Sequence, residues 1–287
     1  MNYGTNDLRC LGAKGGRQAA VRDLQTKEQR HVEELAGKIA LVTGGSRGIG
    51  RAIAETLAAE GALVAVHYGK SKSGADEVVA GIKAKGGDAF VVGADLSKTG
   101  AAQALFAGLD QELSARTGDT KFDILINNAG IAPFVGFADT TEAVFDEIYN
   151  VNVKSLFFIT QEAVKRLKDG GRVISTSSVV ARLPATGLPA YSILKTPLNT
   201  LTQVLAAELG GRNITVNAIA PGVVDTDMAA ALVSDPDTSA FMVGKQALKR
   251  VGKTNDIADV VAFLAGPNSR WITGQTIDVS GGTAVVL

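Results

Sequence analysis

Residues 38–50 read Lys-Ile-Ala-Leu-Val-Thr-Gly-Gly-Ser-Arg-Gly-Ile-Gly, and an amphipathic stretch, Ile49–Glu60, follows at once. Lys38–Val42 is short, apolar and bounded by glycine, which suits a buried strand. The glycines let the chain turn sharply and bring its backbone close to a pyrophosphate. The helix that starts there points free amides and its positive dipole end at the same spot. A glycine-rich turn at a strand-to-helix junction therefore reads as the opening of a βαβ dinucleotide unit.

Outward from this junction the same alternation repeats. Leu63–His67, Ala89–Gly93, Asp123–Ile126, Arg172–Ser175, Thr215–Ile219 and Thr276–Val279 are near-continuous in Val, Ile, Leu and Ala, as in parallel strands covered on both faces. Helical segments lie between them: Ala75–Lys85, Ala101–Arg116, Thr141–Lys168, Tyr191–Leu209 and Asn255–Ala265. The pattern predicts one α/β domain over residues 37–287, a doubly wound, Rossmann-type, seven-stranded parallel sheet with helices on both faces. Pro197 should bend its helix or weaken the first turns. Residues 1–36 fall outside the pattern. They show only a weak helical period at Val21–Leu35, behind Gly4, Gly12, Gly15 and Gly16, and read as a flexible extension.

Composition excludes several classes. Of 287 residues, 46% are hydrophobic and 20% charged, enough for a sizeable core. Lys plus Arg and Asp plus Glu both number 29, so no global charge steers the chain to nucleic acid or a membrane surface. One cysteine, Cys10, and two histidines, His31 and His67, rule out a disulfide framework and multi-Cys or multi-His metal sites. Neither histidine follows a serine nucleophile in α/β-hydrolase order. No apolar run approaches the ~20 residues of a membrane span. The first 37 residues mix acids with bases and lack a signal core, so a cytoplasmic location is expected.

The spacing of Thr43-Gly44-Gly45-Ser46-Arg47-Gly48-Ile49-Gly50 differs from the common GxGxxG and resembles the small single-domain short-chain dehydrogenase/reductases. Further motifs follow in that family's order: Asp95-Leu96, Asn127-Asn128-Ala129-Gly130, Asn152, Ser178, Tyr191-Ser192-Ile193-Leu194-Lys195, Pro221-Gly222 with Thr226, and Gly281-Gly282. The resemblance spans the whole domain and is nearest to 3-oxoacyl-acyl-carrier-protein reductase-like carbonyl reductases. It implies a catalytic set of Asn152, Ser178, Tyr191 and Lys195. Ser178 would hydrogen-bond the substrate oxygen, and Lys195 would hold the nicotinamide ribose. Asn152 would support a water that links Lys195 to solvent. Tyr191 and Lys195, four apart, share a helix face. A neighbouring ammonium and a positive nicotinamide would lower the phenol pKa from about 10. Tyr191 could then exchange a proton with a carbonyl oxygen. Ser175, Thr176 and Ser177 read as strand-end fillers.

By the same resemblance the cofactor touches Gly44, Ser46, Arg47, Gly48, Ile49 and Gly50 in the turn. After the second strand come Tyr68, Lys70 and Ser71, and after the third Asp95 and Leu96. Asn127, Ala129 and Gly130, Tyr191 and Lys195, then Pro221, Gly222, Val224 and Thr226 complete the set. An NAD-specific enzyme carries an acid at the end of the second strand. The register puts Tyr68 there, while Arg47 and Lys70 can converge on a 2′-phosphate, so NADPH is expected rather than NAD.

Val180, Pro184 and Leu188, with Val179, Leu183, Ile131, Pro133 and Phe134, would wall an apolar substrate site beneath a mobile cover from Val223 to about Met242. The expected activity is reduction of a ketone or 3-oxoacyl group to a secondary alcohol. The alternatives are an NAD-dependent alcohol or sugar dehydrogenase working oxidatively, and a non-catalytic dinucleotide sensor. Carrier-protein docking is disfavoured, because Phe158 and Ala207 align with arginines that such reductases commonly show. Apolar residues beyond one stripe (Phe157, Phe158, Leu201, Val204, Leu205) predict a homotetramer or homodimer, with Ala284–Leu287 at a subunit contact.

Overall fold

In this computed structural model the described residues are 34–283. The expectations placed on residues 1–33, including most of the Val21–Leu35 period, and on Ala284–Leu287 lie outside them. Leu35, assigned above to the extension, is instead 1% exposed in the core. Its amide donates to Glu60 O at 3.0 Å.

Seven parallel strands form one sheet in the order β3-β2-β1-β4-β5-β6-β7. They are β1 Ile39–Val42, β2 Leu63–Tyr68, β3 Asp88–Gly93, β4 Phe122–Asn127, β5 Leu167–Thr176, β6 Thr215–Pro221 and β7 Thr276–Val279. Alternation along each strand feeds two cores. Ala40, Val42, Val64, Val66, Ile124 and Ile126 pack on one face against α1 (Gly48–Ala59), α2 (Lys72–Ala84) and α9 (Thr254–Ala265). Leu41, Ala65, Leu125 and Val173 pack on the other against α3 (Ala101–Thr117), α5 (Ser155–Val164) and α6 (Pro189–Leu209). A sheet buried on both faces explains why the strands read as unbroken apolar runs. Strand order reverses beside β1, so the carboxyl ends of β1 and β4 open a crevice there.

Two expectations on helices are corrected. Thr141–Lys168 is not one helix: α4 (Glu142–Tyr149) and α5 flank a wide π turn at Asn150–Lys154, and the chain enters β5 at Leu167. The π turn carries Asn152, whose amide bonds both backbone groups of Ile131. Pro197 does not interrupt α6, which runs whole from Pro189 to Leu209 with the proline on its exposed side. The segment read as a cover holds two short helices, α7 (Ala230–Ser234) and α8 (Pro236–Gly244).

Candidate active site

The crevice is a cleft of about 1090 Å³. Its floor begins at the glycine-rich turn. Gly44 has φ +64 and Gly48 φ +54, conformations costly for a residue with a Cβ. A Cβ on Gly44 would stand 2.9 Å from Ala129 Cα, so turn and β4 loop meet backbone to backbone. Thr43 Oγ1 donates to Ile126 O and accepts the amides of Asn128 and Ala129, at 2.9–3.1 Å. Asn128 Nδ2 donates to the carbonyls of Thr43 and Gly44 at 3.0 and 3.2 Å. Helix α1 starts with neither a side-chain cap nor an acid in its first turn, which leaves its positive end for an anion.

Ser178 follows β5 and opens a turn, its Oγ accepting from Val180 N at 3.3 Å. Proline at the first position of α6 starts that helix so that Tyr191 and Lys195 fall in its first two turns, facing Ser178. The Ser178 hydroxyl neighbours the Tyr191 phenol and favours its ionised form. Lys195 is 3% exposed, lies 5.6 Å from the centre of the Tyr191 ring, and donates to Thr176 O at 2.6 Å. Thr176 is therefore more than a strand-end filler. Ser177 fits that reading, since its Oγ is engaged with Asn199 at 2.8 Å.

Without a nicotinamide beside it, the phenol is governed by burial. Burial pushes Tyr191 up to about 12, against a smaller lowering from Ser178. Tyr191 is among the residues that border the cleft. Burial also pushes Lys195 down to about 8. The ammonium sits by the ring face and is bonded to a carbonyl, so it does not offset the phenol's desolvation. Burial thus keeps Tyr191 protonated at neutral pH.

Most expected residues border the cleft, from Gly44, Ser46, Arg47, Gly48, Ile49 and Gly50 through Lys70, Ser71, Asp95, Leu96, Ala129 and Gly130 to Pro221, Gly222, Val224 and Thr226. Val180, Pro184 and Leu188 do so as well. Three do not. The Tyr68 ring lies over its strand partner Gly93, where a Cβ would stand 2.7 Å from it, so it packs on the sheet rather than facing a ribose. Asn127 is 3% exposed, and its Nδ2 donates to Thr160 Oγ1 at 2.9 Å inside the core. Asn152 stands behind the wall, its Oδ1 and Nδ2 both 2.8 Å from the backbone of Ile131.

Asn128 braces the turn from inside its motif. Other residues carry no motif: His67 braces the turn too, and its signal is only a polar side chain at a strand end. Phe241, Met242, Met228 and Leu232 roof the cleft from the cover. Asp227 reaches to 3.9 Å from Arg47 across the mouth, both side chains more than 70% exposed.

A family model described as Enoyl-(Acyl carrier protein) reductase matches residues 44–284. Versicolorin reductase 1 of Aspergillus parasiticus is 38% identical over 261 residues, covering 86% of this chain and 97% of that protein. An uncharacterized oxidoreductase of Methylorubrum extorquens is 42% identical over 252 residues, 88% of this chain and 99% of its own length. Among solved structures, the angucycline C-6 ketoreductase LanV with bound NADP superposes with a TM-score of 0.85 at 44% identity, covering 88% of this chain and 98% of that one. The reductase LugOII, described as promiscuous and as catalysing keto-reduction at C1 in lugdunomycin biosynthesis, gives 0.84 at 47%, covering 88% and 100%.

Proposed function

Because this chain belongs to the short-chain dehydrogenase/reductase family, we propose that it is an NADPH-dependent ketoreductase acting on flat, apolar, ring-fused ketones. One observation carries the reading: Ser178, Tyr191 and Lys195 converge at the apolar end of a cleft whose other end is a glycine-rich turn flanked by cations. Apolar walls with few convergent polar groups suit a hydrophobic ligand. Phe134 and Phe241 add two aromatic faces, and the named substrates of the relatives are polycyclic.

A reduced nicotinamide, when bound, supplies a hydride to the carbonyl carbon. The residues do the rest. The Ser178 and Tyr191 hydroxyls meet at the place where a ketone oxygen would sit, and Tyr191 gives up its proton as charge develops there. Lys195, cationic at neutral pH, lies over the face of the same ring. Asn152 holds Ile131 at the cleft wall. The oxidative alternative runs the same proton transfer in reverse and starts from the phenolate, whereas reduction starts from the protonated phenol that burial favours. The oxoacyl alternative has the family description in its favour, yet Phe158 and Ala207 present an uncharged, exposed surface to any acidic carrier. The test is NADPH consumption with a fused-ring ketone, a linear aliphatic ketone and a 3-oxoacyl thioester. Turnover of the thioester alone overturns the substrate reading.

Cofactor preference follows from Arg47 and Lys70, which border the same end of the cleft. A 2′-phosphate must displace Asp227 from Arg47. That exposed pair at 3.9 Å is worth little, while a charge-assisted phosphate contact is worth roughly 1.5–3 kcal/mol. Since ~1.4 kcal/mol is tenfold, kcat/KM should favour NADPH over NADH by at least about tenfold. The Arg47→Ala, Lys70→Ala double variant should lose that preference. Equal use of both cofactors by the wild type defeats the assignment.

We propose self-association through α5 and α6. Phe157, Phe158, Ile193 and Val204 are 40–59% exposed there, and Phe157 and Phe158 stack edge to face with ring centres 5.4 Å apart. Light scattering at micromolar concentration should report a dimer or tetramer, and a monomer would refute it.

A further inference from the structure

His67 stands at the penultimate position of β2, 1% exposed, and is the only histidine among the described residues. Its Nδ1 lies 3.0 Å from Gly44 N, and its Nε2 lies 3.0 Å from Ala94 O. Gly44 N–H can only donate and the Ala94 carbonyl can only accept, so the ring is neutral with its proton on Nε2. Burial pushes its pKa down to about 4, which keeps that form through the neutral range. The backbone carbonyl of His67 also accepts from Gly45 N at 2.9 Å.

Gly44 is the first residue of the turn with positive φ, and Ala94 immediately precedes Asp95 and Leu96, which border the same end of the cleft. One rigid ring, itself on the cleft wall, therefore sets the spacing between the glycine-rich turn and the loop after β3. We infer that His67 is a positioning residue that holds Gly44 and Ala94 at the separation the dinucleotide requires, an inference that rests on reading the cleft as an NADPH site. A leucine of similar size would leave the half-buried Gly44 N–H without its acceptor and let the turn relax. Binding would then have to reorder it, and affinity would fall. The chemistry at Tyr191, at the other end of the cleft, would be unaffected once cofactor is bound.

The experiment is NADPH titration by fluorescence, with kcat measured at saturating NADPH, for the wild type and for His67→Leu, His67→Asn and His67→Gln. Asparagine places its Oδ1 where Nδ1 accepts from Gly44, whereas glutamine reaches the Nε2 level and only Ala94. His67→Leu should weaken NADPH binding by about tenfold with kcat within about twofold, and His67→Asn should recover to within about threefold of wild type. Wild-type affinity in His67→Leu, or a His67→Asn as weak as His67→Leu, overturns the inference. If His67→Leu shows no cooperative thermal transition, the Asn and Gln variants decide: weaker binding in Gln supports the role and equal binding refutes it. A wild type that binds neither NADPH nor NADH would sink the reductase reading itself, and this inference with it.

Discussion

Tyr191→Phe should lower kcat to below about one per cent of wild type while leaving NADPH affinity within about twofold, because a positioned general acid contributes typically 10²–10⁴-fold. Phenylalanine preserves the ring beside Lys195 and removes only the hydroxyl that meets Ser178. Water is a poor replacement, since burial pushes the phenol up to about 12 and leaves little room for solvent around it. Lys195→Ala should behave differently. It leaves the Thr176 carbonyl without its 2.6 Å donor and removes the charge over the Tyr191 ring, so turnover and cofactor affinity should fall together. Single-turnover kinetics with saturating NADPH, paired with a fluorescence titration, separate the two patterns. Retention by Tyr191→Phe of more than a few per cent of wild-type kcat would remove Tyr191 from the role.

The difference between what the sequence makes legible and what it hides is physical. The inner strands can be read because a sheet covered on both faces needs apolar residues at nearly every position, and a run such as Ile39–Val42 has no other home, whereas β7 leaves Thr276 and Asp278 exposed. Ser178, Tyr191 and Lys195 are legible because their spacing follows from one strand end and one helix. Asn152 is legible too, but its π turn is not. A single extra residue in a turn leaves no mark on an apolar period that continues on either side. Tyr68 misleads because strand register gives the direction of the Cβ and says nothing of a slot over Gly93. Arg47 is legible as a cation, whereas its approach to Asp227 depends on a cover whose path no local pattern specifies. His67 is hidden for a related reason. A buried histidine at a strand end has no meaning until Gly44 and Ala94, on two other segments, are brought to it.

Gly50→Ala should abolish measurable NADPH binding, although the same change in an open helical position would stabilise the protein. Gly50 lies inside α1, where alanine is favoured over glycine by about 1 kcal/mol. Its new Cβ, however, would stand 2.2 Å from Gly44 O and 2.5 Å from Asn128 Nδ2. Those two atoms are hydrogen-bonded to each other at 3.2 Å, and one of them is backbone, so neither can swing aside. Overpacking of this kind costs typically 1–3 kcal/mol, which exceeds the propensity gain and falls directly on the turn that must cradle the phosphates. With the turn displaced, affinity should drop by about a hundredfold or more. Gly81 provides the control: it lies within α2, and a methyl group added there would have nothing within 4 Å. Gly81→Ala should raise the unfolding midpoint slightly and leave NADPH affinity unchanged. A Gly50→Ala protein that bound NADPH as tightly as Gly81→Ala would show that the turn does not hold the cofactor.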